Sequence, residues 1–379
     1  MSKPTLHEDW IDPLAAKIVH TLCQSGFETY LVGGCVRDLL VGIHPKDFDI
    51  ATNATPEQVK RKIPGSYLIG RRFRLVLVKR GDQQFEVATF RRNATEEELA
   101  SEDVSPDNFY GTAEEDARRR DFTLNGLFFD LVNHKVIDYV DGLKDIESGT
   151  VRMIGDPVER LREDPIRILR AVRLAHKVGF ILDPKLREGI SQTAGELLRS
   201  VLPRRREEYL KILRLQDPHL VFLELFDLGV LEWILPALHK VYADEEKREI
   251  FRAYLEQVPS SGLSQHEPRE LFSGLLYAFI KAHFRENPVS HDELLSNSDF
   301  NRLMKEELGM FKAEMGSFFS ALRFAEMLGR TQQFLKRGNK RQLNFLRHEG
   351  VALAVKLSGM DASFPHSLLW FWRQQLSRV

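Results

Sequence analysis

The residues best suited to chemistry are Asp47 and Asp49, in the run Asp47-Phe48-Asp49-Ile50. The run reads as a strand, where residues i and i+2 share a face, so the two carboxylates converge while Phe48 turns into the core. Upstream, Gly33–Gly34 breaks the apolar run Tyr30-Leu31-Val32, and Cys35–Val41 reads as one or two helical turns carrying Arg37. Carboxylate oxygens are hard donors suited to Mg²⁺, which keeps waters and completes its shell with substrate phosphates. Backbone N–H groups at a glycine turn and a helix N-terminus cradle phosphate, and Arg37 would hold the rest of a triphosphate. This is the equipment for nucleotidyl transfer by two metal ions. Taken singly, Gly-Gly is usually a turn and Asp-x-Asp a solvated strand end; the combination within Leu31–Ile50 carries the signal.

Other segments can extend this site. Leu68–Val78 reads as a turn into a strand, with Phe85–Arg92 as its hairpin partner through Gly81–Asp82. Glu86 is a third carboxylate if its strand lies beside Asp47 and Asp49, and a surface residue on an edge strand otherwise. Asp116–Asp130 (DARRRDFTLNGLFFD) fits a helical period. There Arg119, Arg120, Asp121 and Asn125 would contact triphosphate and ribose, or form a charged helix face. An Asp acceptor facing a ribose hydroxyl would favour NTP over dNTP. In Asp156–Phe180, Glu163, Asp164 and Arg167 stand out, and Asp164 and Arg167 are i, i+3 neighbours on one helix face. A carboxylate beside a guanidinium offers an acceptor next to a donor. That pair matches the Watson–Crick edge of adenine or cytosine; the ordinary alternative is an intrahelical ion pair. Arg204, Arg205 and Arg206 open another basic helix that would grip an RNA backbone or be solvated.

These residues need elements to position them. The chain has 379 residues, 43% hydrophobic and 29% charged, enough for two or three domains of an ordinary globular protein. A helix over residues 10–25, with Leu14, Ile18 and Leu22 on one face, should pack on the sheet ahead of Tyr30. Thr55 reads as an N-cap with Pro56 at the first helical position. Residues 93–115 are acidic and nearly aperiodic, the pattern of a functional or disordered loop. Val136–Gly142 closes the first domain as a strand and turn that Asp138 and Asp141 would brace. Beyond about Gln216 the chain is helical and rich in Phe and Leu. No nucleophile triad, metal-ligand cluster or dinucleotide fingerprint is apparent there, and the lone His291-Asp292 doublet lacks companions.

Net charge is −1, so global electrostatics do not announce nucleic acid. Local charge does: residues 151–214 carry 15 Lys and Arg against 9 Asp and Glu. No apolar run is long enough for a membrane span, and the start MSKPTLHEDW lacks a signal-peptide core. Cys23 and Cys35 suggest neither a disulfide framework nor a metal cage. A cytoplasmic protein without a membrane partner is expected.

The motifs GGCVRD…DFD, RRDFTLN, DYVDGLKD and EDPIR, in this order between Thr29 and Leu213, resemble those of the bacterial class II nucleotidyltransferases. That group contains poly(A) polymerases and tRNA CCA-adding enzymes. The resemblance implies an α+β protein. An N-terminal catalytic head with a small mixed sheet (residues 1–150) would precede an all-helical neck that reads the base (151–215). A helical body and tail for RNA (216–379) would follow. It implies Mg²⁺ on Asp47 and Asp49, triphosphate on Gly33, Gly34 and Arg37, and the incoming nucleotide on Arg120, Asp121 and Asn125. ATP would bind between head and neck, with Glu163, Asp164 and Arg167 in the base template. LIGRRFRLVLV, the proline of EDPIR and LPRRREEYLKIL resemble the poly(A) polymerase branch, with ATP and an RNA 3′ end as partners. The alternative is CCA addition to tRNA from CTP and ATP. An alternative of another class is an inactive RNA-binding protein on the same fold, against which the intact Asp-x-Asp argues.

Overall fold

The computed structural model describes residues 6–70, 75–94 and 109–379. Residues 71–74 of LIGRRFRLVLV and residues 95–108 of the acidic stretch lie outside the described residues. The chain forms two compact units: residues 1–163 with 174–189, and residues 164–173 with 190–379.

The first unit is built on a mixed sheet. Helix α1, Pro13–Gln24, starts where the Asp12 carboxylate accepts from the N–H groups of Leu14 (2.7 Å) and Ala15 (3.2 Å). It buries Ala15, Ile18, Val19 and Leu22. Strand β1, Thr29–Val32, leads into the glycine turn and helix α2, Gly34–Val41. Strand β2 is Asp49–Thr52, so Asp47 precedes the strand rather than opening it. The alternation nevertheless holds: Phe48 and Ile50 are buried, Asp47 and Asp49 open to solvent. Helix α3, Pro56–Lys62, has the expected Thr55 cap, reinforced by Gln58 as a capping box. Strands β3 (Ser66–Ile69), β4 (Leu75–Arg80) and β5 (Gln83–Thr89) follow, β4 and β5 forming the expected hairpin.

The segment Asp116–Asp130 is not one helix. Helix α4, Ala113–Arg118, ends before Arg119, a single 3-10 turn covers Thr123–Asn125, and Leu127–Asp130 is strand β6. A short apolar run such as LFF has no period of its own, and here the sheet claims it. Strand β7, Lys135–Asp138, pairs with β6. Among the described residues the sheet order is β3-β4-β5-β2-β1-β6-β7, with β2 and β5 parallel and the other neighbours antiparallel. One face is covered by α4 over Val32, Ala51, Phe90 and Phe128. Asp138 braces the following turn by accepting from the N–H groups of Val140, Gly142 and Leu143 at 2.9–3.1 Å. Asp141 makes no such cap; it turns the chain through a left-handed φ of 62°.

The first unit runs past residue 150. Strand β8, Thr150–Val151, pairs in parallel with β9, Ile181–Leu182. After Asp156 come two helices, Pro157–Glu163 and Arg167–Val178, broken at Asp164-Pro165. A residue before proline is driven out of the helical region.

The second unit is helical, as the sequence beyond Gln216 suggests. Its longer helices include Leu202–Leu213, Pro268–His283, Lys312–Ala325 and His366–Leu376. Phe222, Phe251, Phe272, Phe279, Phe300 and Trp372 are fully enclosed in it. His291 and Asp292 begin a short helix, His291–Ser296, capped by Ser290. Among the described residues no helix is long and apolar enough to cross a membrane.

Candidate active site

Strand register sets the site. Val32 pairs with Asp49, and Asp49 pairs with Glu86 on the parallel neighbour. Directly paired residues project from the same face, so Glu86 does lie beside Asp49, the condition under which it joins the carboxylates. Asp49 keeps access to solvent, but the protein packed around it removes part of its water, and this comes first in raising its carboxyl above the usual range, with the negative charges of Glu86 and then Asp47 adding to it. Arg120 pulls the other way.

The glycine turn continues from Val32 and stands next to this row. Gly33 has φ 74° and ψ −128°, which a side chain tolerates poorly. Its N–H donates to the Leu127 carbonyl at 3.0 Å. A β-carbon on Gly33 would lie 2.8 Å from Nη1 of Arg120, and one on Gly34 would lie 3.5 Å from Nη2 of Arg37. Two guanidinium groups therefore flank the turn at the N-terminus of α2, where the first backbone N–H groups have no intrahelical acceptor.

Both guanidinium groups are fixed. Arg120 donates through Nε and Nη2 to Asp116 Oδ2 (3.1 and 2.9 Å) and through Nη1 to the Asn125 carbonyl (3.2 Å). Its guanidinium lies over the Phe128 ring, 5.3 Å from the centroid. Burial opposes ionisation of Asp116, but Arg120 and Arg119 prevail and hold its carboxyl below the ordinary range. Arg160 donates to the carbonyls of Arg119 (2.8 Å) and Arg120 (3.0 Å), tying down the same segment. Arg37 is buried and donates to Asp38 through Nε (2.9 Å) and Nη2 (2.6 Å), and to Asn125 through Nη1. Lys177 closes this network on Asp38 at 2.7 Å.

Several expectations change here. Asp121 is 8% exposed, and its Oδ1 accepts from the Phe122 N–H (2.8 Å) and Asn125 Nδ2 (3.0 Å). In this structure it braces Asn125, which steadies Arg37, instead of opening toward a ribose. Asp164 is not on a helix face with Arg167. Both of its oxygens accept from Arg204, at 2.8 Å each, while Arg167 opens the following helix. Glu163 pairs with Arg160 at 2.6 Å. Arg206 cannot grip an RNA backbone: it is buried between the rings of Phe272 and Phe311, each 4.7 Å away, and pairs with Glu314 at 2.6 Å. Arg204 is exposed and Arg205 half-buried. Cys35 is packed beneath the turn, and burial pushes its thiol up to about 12.

Sequence reading missed Asp38, Asp116, Phe128, Arg160 and Lys177. Asp116 had a usable signal, its i, i+4 spacing to Arg120. Phe128 and Lys177 had none, because tertiary packing alone brings them to the site.

A known family model described as "Poly A polymerase head domain" matches residues 29–152, and "Probable RNA and SrmB- binding site of polymerase A" matches residues 179–242. The chain is 38% identical over 273 residues to poly(A) polymerase I of Escherichia coli O6:H1, covering 70% of this chain and 58% of that one. It is 37% identical over 198 residues to the CCA-adding enzyme of Lactobacillus helveticus, covering 52% of this chain and 49% of that one. The fold resembles the crystal structure of a Bacillus stearothermophilus CCA-adding enzyme in complex with CTP, with TM-score 0.71 and 26% identity. That match covers 97% of this chain and 82% of the other. The chain belongs to the class II nucleotidyltransferase family. It spans 58% or less of the length of these two sequence relatives. As a class II nucleotidyltransferase it carries the expected α+β head sheet and helical second unit, and its carboxylate row and guanidinium-flanked turn lie within the matched head segment.

Proposed function

We propose that the chain transfers AMP from ATP to RNA 3′ ends without a template, as a poly(A) polymerase. The observation that carries this reading is the longer stretch of sequence shared with a poly(A) polymerase I than with a CCA-adding enzyme. CCA addition to tRNA from CTP and ATP is the second reading, favoured by the likeness to a solved CCA-adding enzyme over most of its length.

The chemistry of the donors fits Mg²⁺. Asp47 and Asp49 offer hard oxygen ligands, and Asp49 sits among like charges that a cation would relieve. Among the described residues no group of three or more His, Cys, Asp or Glu is disposed to hold a metal. Mg²⁺ takes one or two carboxylates and leaves its other positions to water and phosphate. Held there, Mg²⁺ would supply an activated primer 3′-hydroxyl and charge neutralisation on the leaving pyrophosphate.

The chain's own residues bind and orient. The Gly33–Gly34 turn lets phosphate oxygens approach the N-terminus of α2. Arg120, with Arg37 behind the turn, adds positive charge where the triphosphate lies. Asp116, Asn125 and Phe128 fix that charge before substrate arrives, the preorganisation on which phosphoryl transfer depends. Glu86 completes the carboxylate row. Arg167 reads the base, Asp164 joining it once the base displaces Arg204 from its oxygens, with Glu163 as support, and Arg204 and Arg205 contact RNA.

Incorporation of each labelled NTP, singly and mixed, onto a tRNA lacking its CCA end and onto an unstructured oligo(A) tests the reading. Long ATP-only tails on both primers are expected. Addition of two C and one A to the tRNA, followed by a stop, would establish the second reading instead.

A further inference from the structure

The carboxylate row does not end at Glu86. Glu86 pairs with Leu77 on β4, and Leu77 pairs with Tyr67 on β3, the edge strand among the described residues. Direct pairs share a face, so Asp49, Glu86, Leu77 and Tyr67 form one line across four strands. The opposite face of β4 and β5 carries Val76, Val78, Phe85 and Val87, all buried. On the near face Leu75 and Leu77 are half-buried, while Lys79, Gln84 and Glu86 are exposed. Tyr67 is 56% exposed, and among the described residues no ring contact or hydrogen bond engages its side chain. The site described above makes no use of this ring, although it stands on the reacting face of the sheet.

The two ends of the row have different neighbours. At the β1 end, beyond Asp49, stands the Gly33–Gly34 turn with the Arg37 and Arg120 guanidinium groups. A triphosphate held there puts its leaving pyrophosphate on that side. Attacking and leaving oxygens lie roughly in line across the phosphorus, so the attacking 3′-oxygen enters from the Glu86 side. We propose that the RNA primer runs from Glu86 across β5, β4 and β3, with an upstream base stacked on Tyr67 and a backbone phosphate near Lys79. The inference rests on the nucleotidyltransferase reading of Asp47 and Asp49. From Asp49 to Tyr67 is three strand spacings, about 14 Å. Stacked nucleotides advance about 3.4 Å each, so Tyr67 meets a base about four stacked nucleotides back, fewer in an extended strand, and not the terminal one. A tyrosine ring holds any base by its face, which suits an enzyme that extends RNA without a template. Lys79 lies two residues from Leu77 on the same face, paired with Gln84, and supplies the cation that a passing phosphate needs.

The test measures primer KM for the full chain with ATP and Mg²⁺, using the dinucleotide ApA and an oligo(A) of about eight nucleotides. ApA ends short of Tyr67 and the longer primer reaches it, so the wild type is expected to show the lower KM for the longer one. Tyr67→Ala reduces that ratio roughly tenfold, the usual effect of removing a base-stacking ring, and Tyr67→Phe restores it. Lys79→Ala lowers the salt slope of the longer primer's KM by about one phosphate contact. A ratio unchanged in Tyr67→Ala, or a KM that rises equally for both primers, overturns the proposal while the polymerase reading stands. An unchanged ratio together with loss of a dimer by light scattering overturns it too, and assigns the exposed β3 edge to self-association. A wild type that extends neither primer removes that reading and the proposal with it.

Discussion

Asp49 shows how a row of like charges costs the fold that carries it. Partial loss of water to the protein around it, Glu86 and Asp47 raise its carboxyl above the unfolded value. A group raised in this way adds stability that is complete below the unfolded pKa and is lost as pH rises through the folded one. In chelator, Asp49→Asn is therefore expected to melt above the wild type at neutral pH and to lose that advantage below about pH 4. Added Mg²⁺ should raise the melting temperature of the wild type and not of the variant, which thermal unfolding with and without EDTA will show. At Gly33 the cost runs through the backbone. Gly33→Ala must hold a left-handed φ of 74° and displace the Arg120 guanidinium. A loss of about 1–3 kcal/mol is expected, with KM for ATP rising, measured by denaturant unfolding and steady-state kinetics. Asp47, Asp49, Gly33 and Gly34 were legible in the sequence because strand alternation and a glycine break act over a few residues. Asp116 and Phe128, which hold Arg120, were not, because they reach it through α4 and β6, elements whose packing no local pattern reports.

At the scale of elements, one basic triplet serves two purposes. On Leu202–Leu213, Arg204 is exposed and pairs with Asp164, while Arg206 is enclosed by Phe272, Phe311 and Glu314. Sequence shows three adjacent arginines; a helix sends consecutive residues about 100° apart, so they cannot share one fate. Arg206→Ala leaves Glu314 without its partner and is expected to cost about 3 kcal/mol by chemical denaturation. Arg204→Ala breaks a half-exposed pair and should cost less than about 1 kcal/mol, yet weaken RNA binding in a filter assay. Equal stability losses in the two variants would contradict this division. The same scale explains the misread segment Leu127–Asp130: an apolar run of strand length carries no period, and only its partners β1 and β7 make it a strand. The break before Pro165 was readable from proline alone, and it parts Asp164 from the helix face that its spacing to Arg167 implied.

At the scale of the whole molecule, the chain passes between its two units more than once. The first unit takes residues 174–189 as well as 1–163, and within it β8 pairs with β9 and Asp38 pairs with Lys177. Neither pairing exists in a fragment cut at residue 150. That fragment is expected to unfold at lower temperature than one ending at residue 189, by circular dichroism and limited proteolysis. The sequence showed the change to long helices after Asp156 but not this return, since a two-residue parallel pair leaves no periodic trace. RNA affinity of the full chain should fall with rising salt as phosphate contacts release counterions.

The most direct measurement is incorporation of labelled AMP from ATP onto oligo(A) with Mg²⁺, comparing the wild type with Asp47→Asn and Asp49→Asn. The account predicts extension by the wild type and loss of roughly a thousandfold or more in each variant, with circular dichroism showing both still folded. A folded Asp49→Asn protein that extends the primer at the wild-type rate would contradict it.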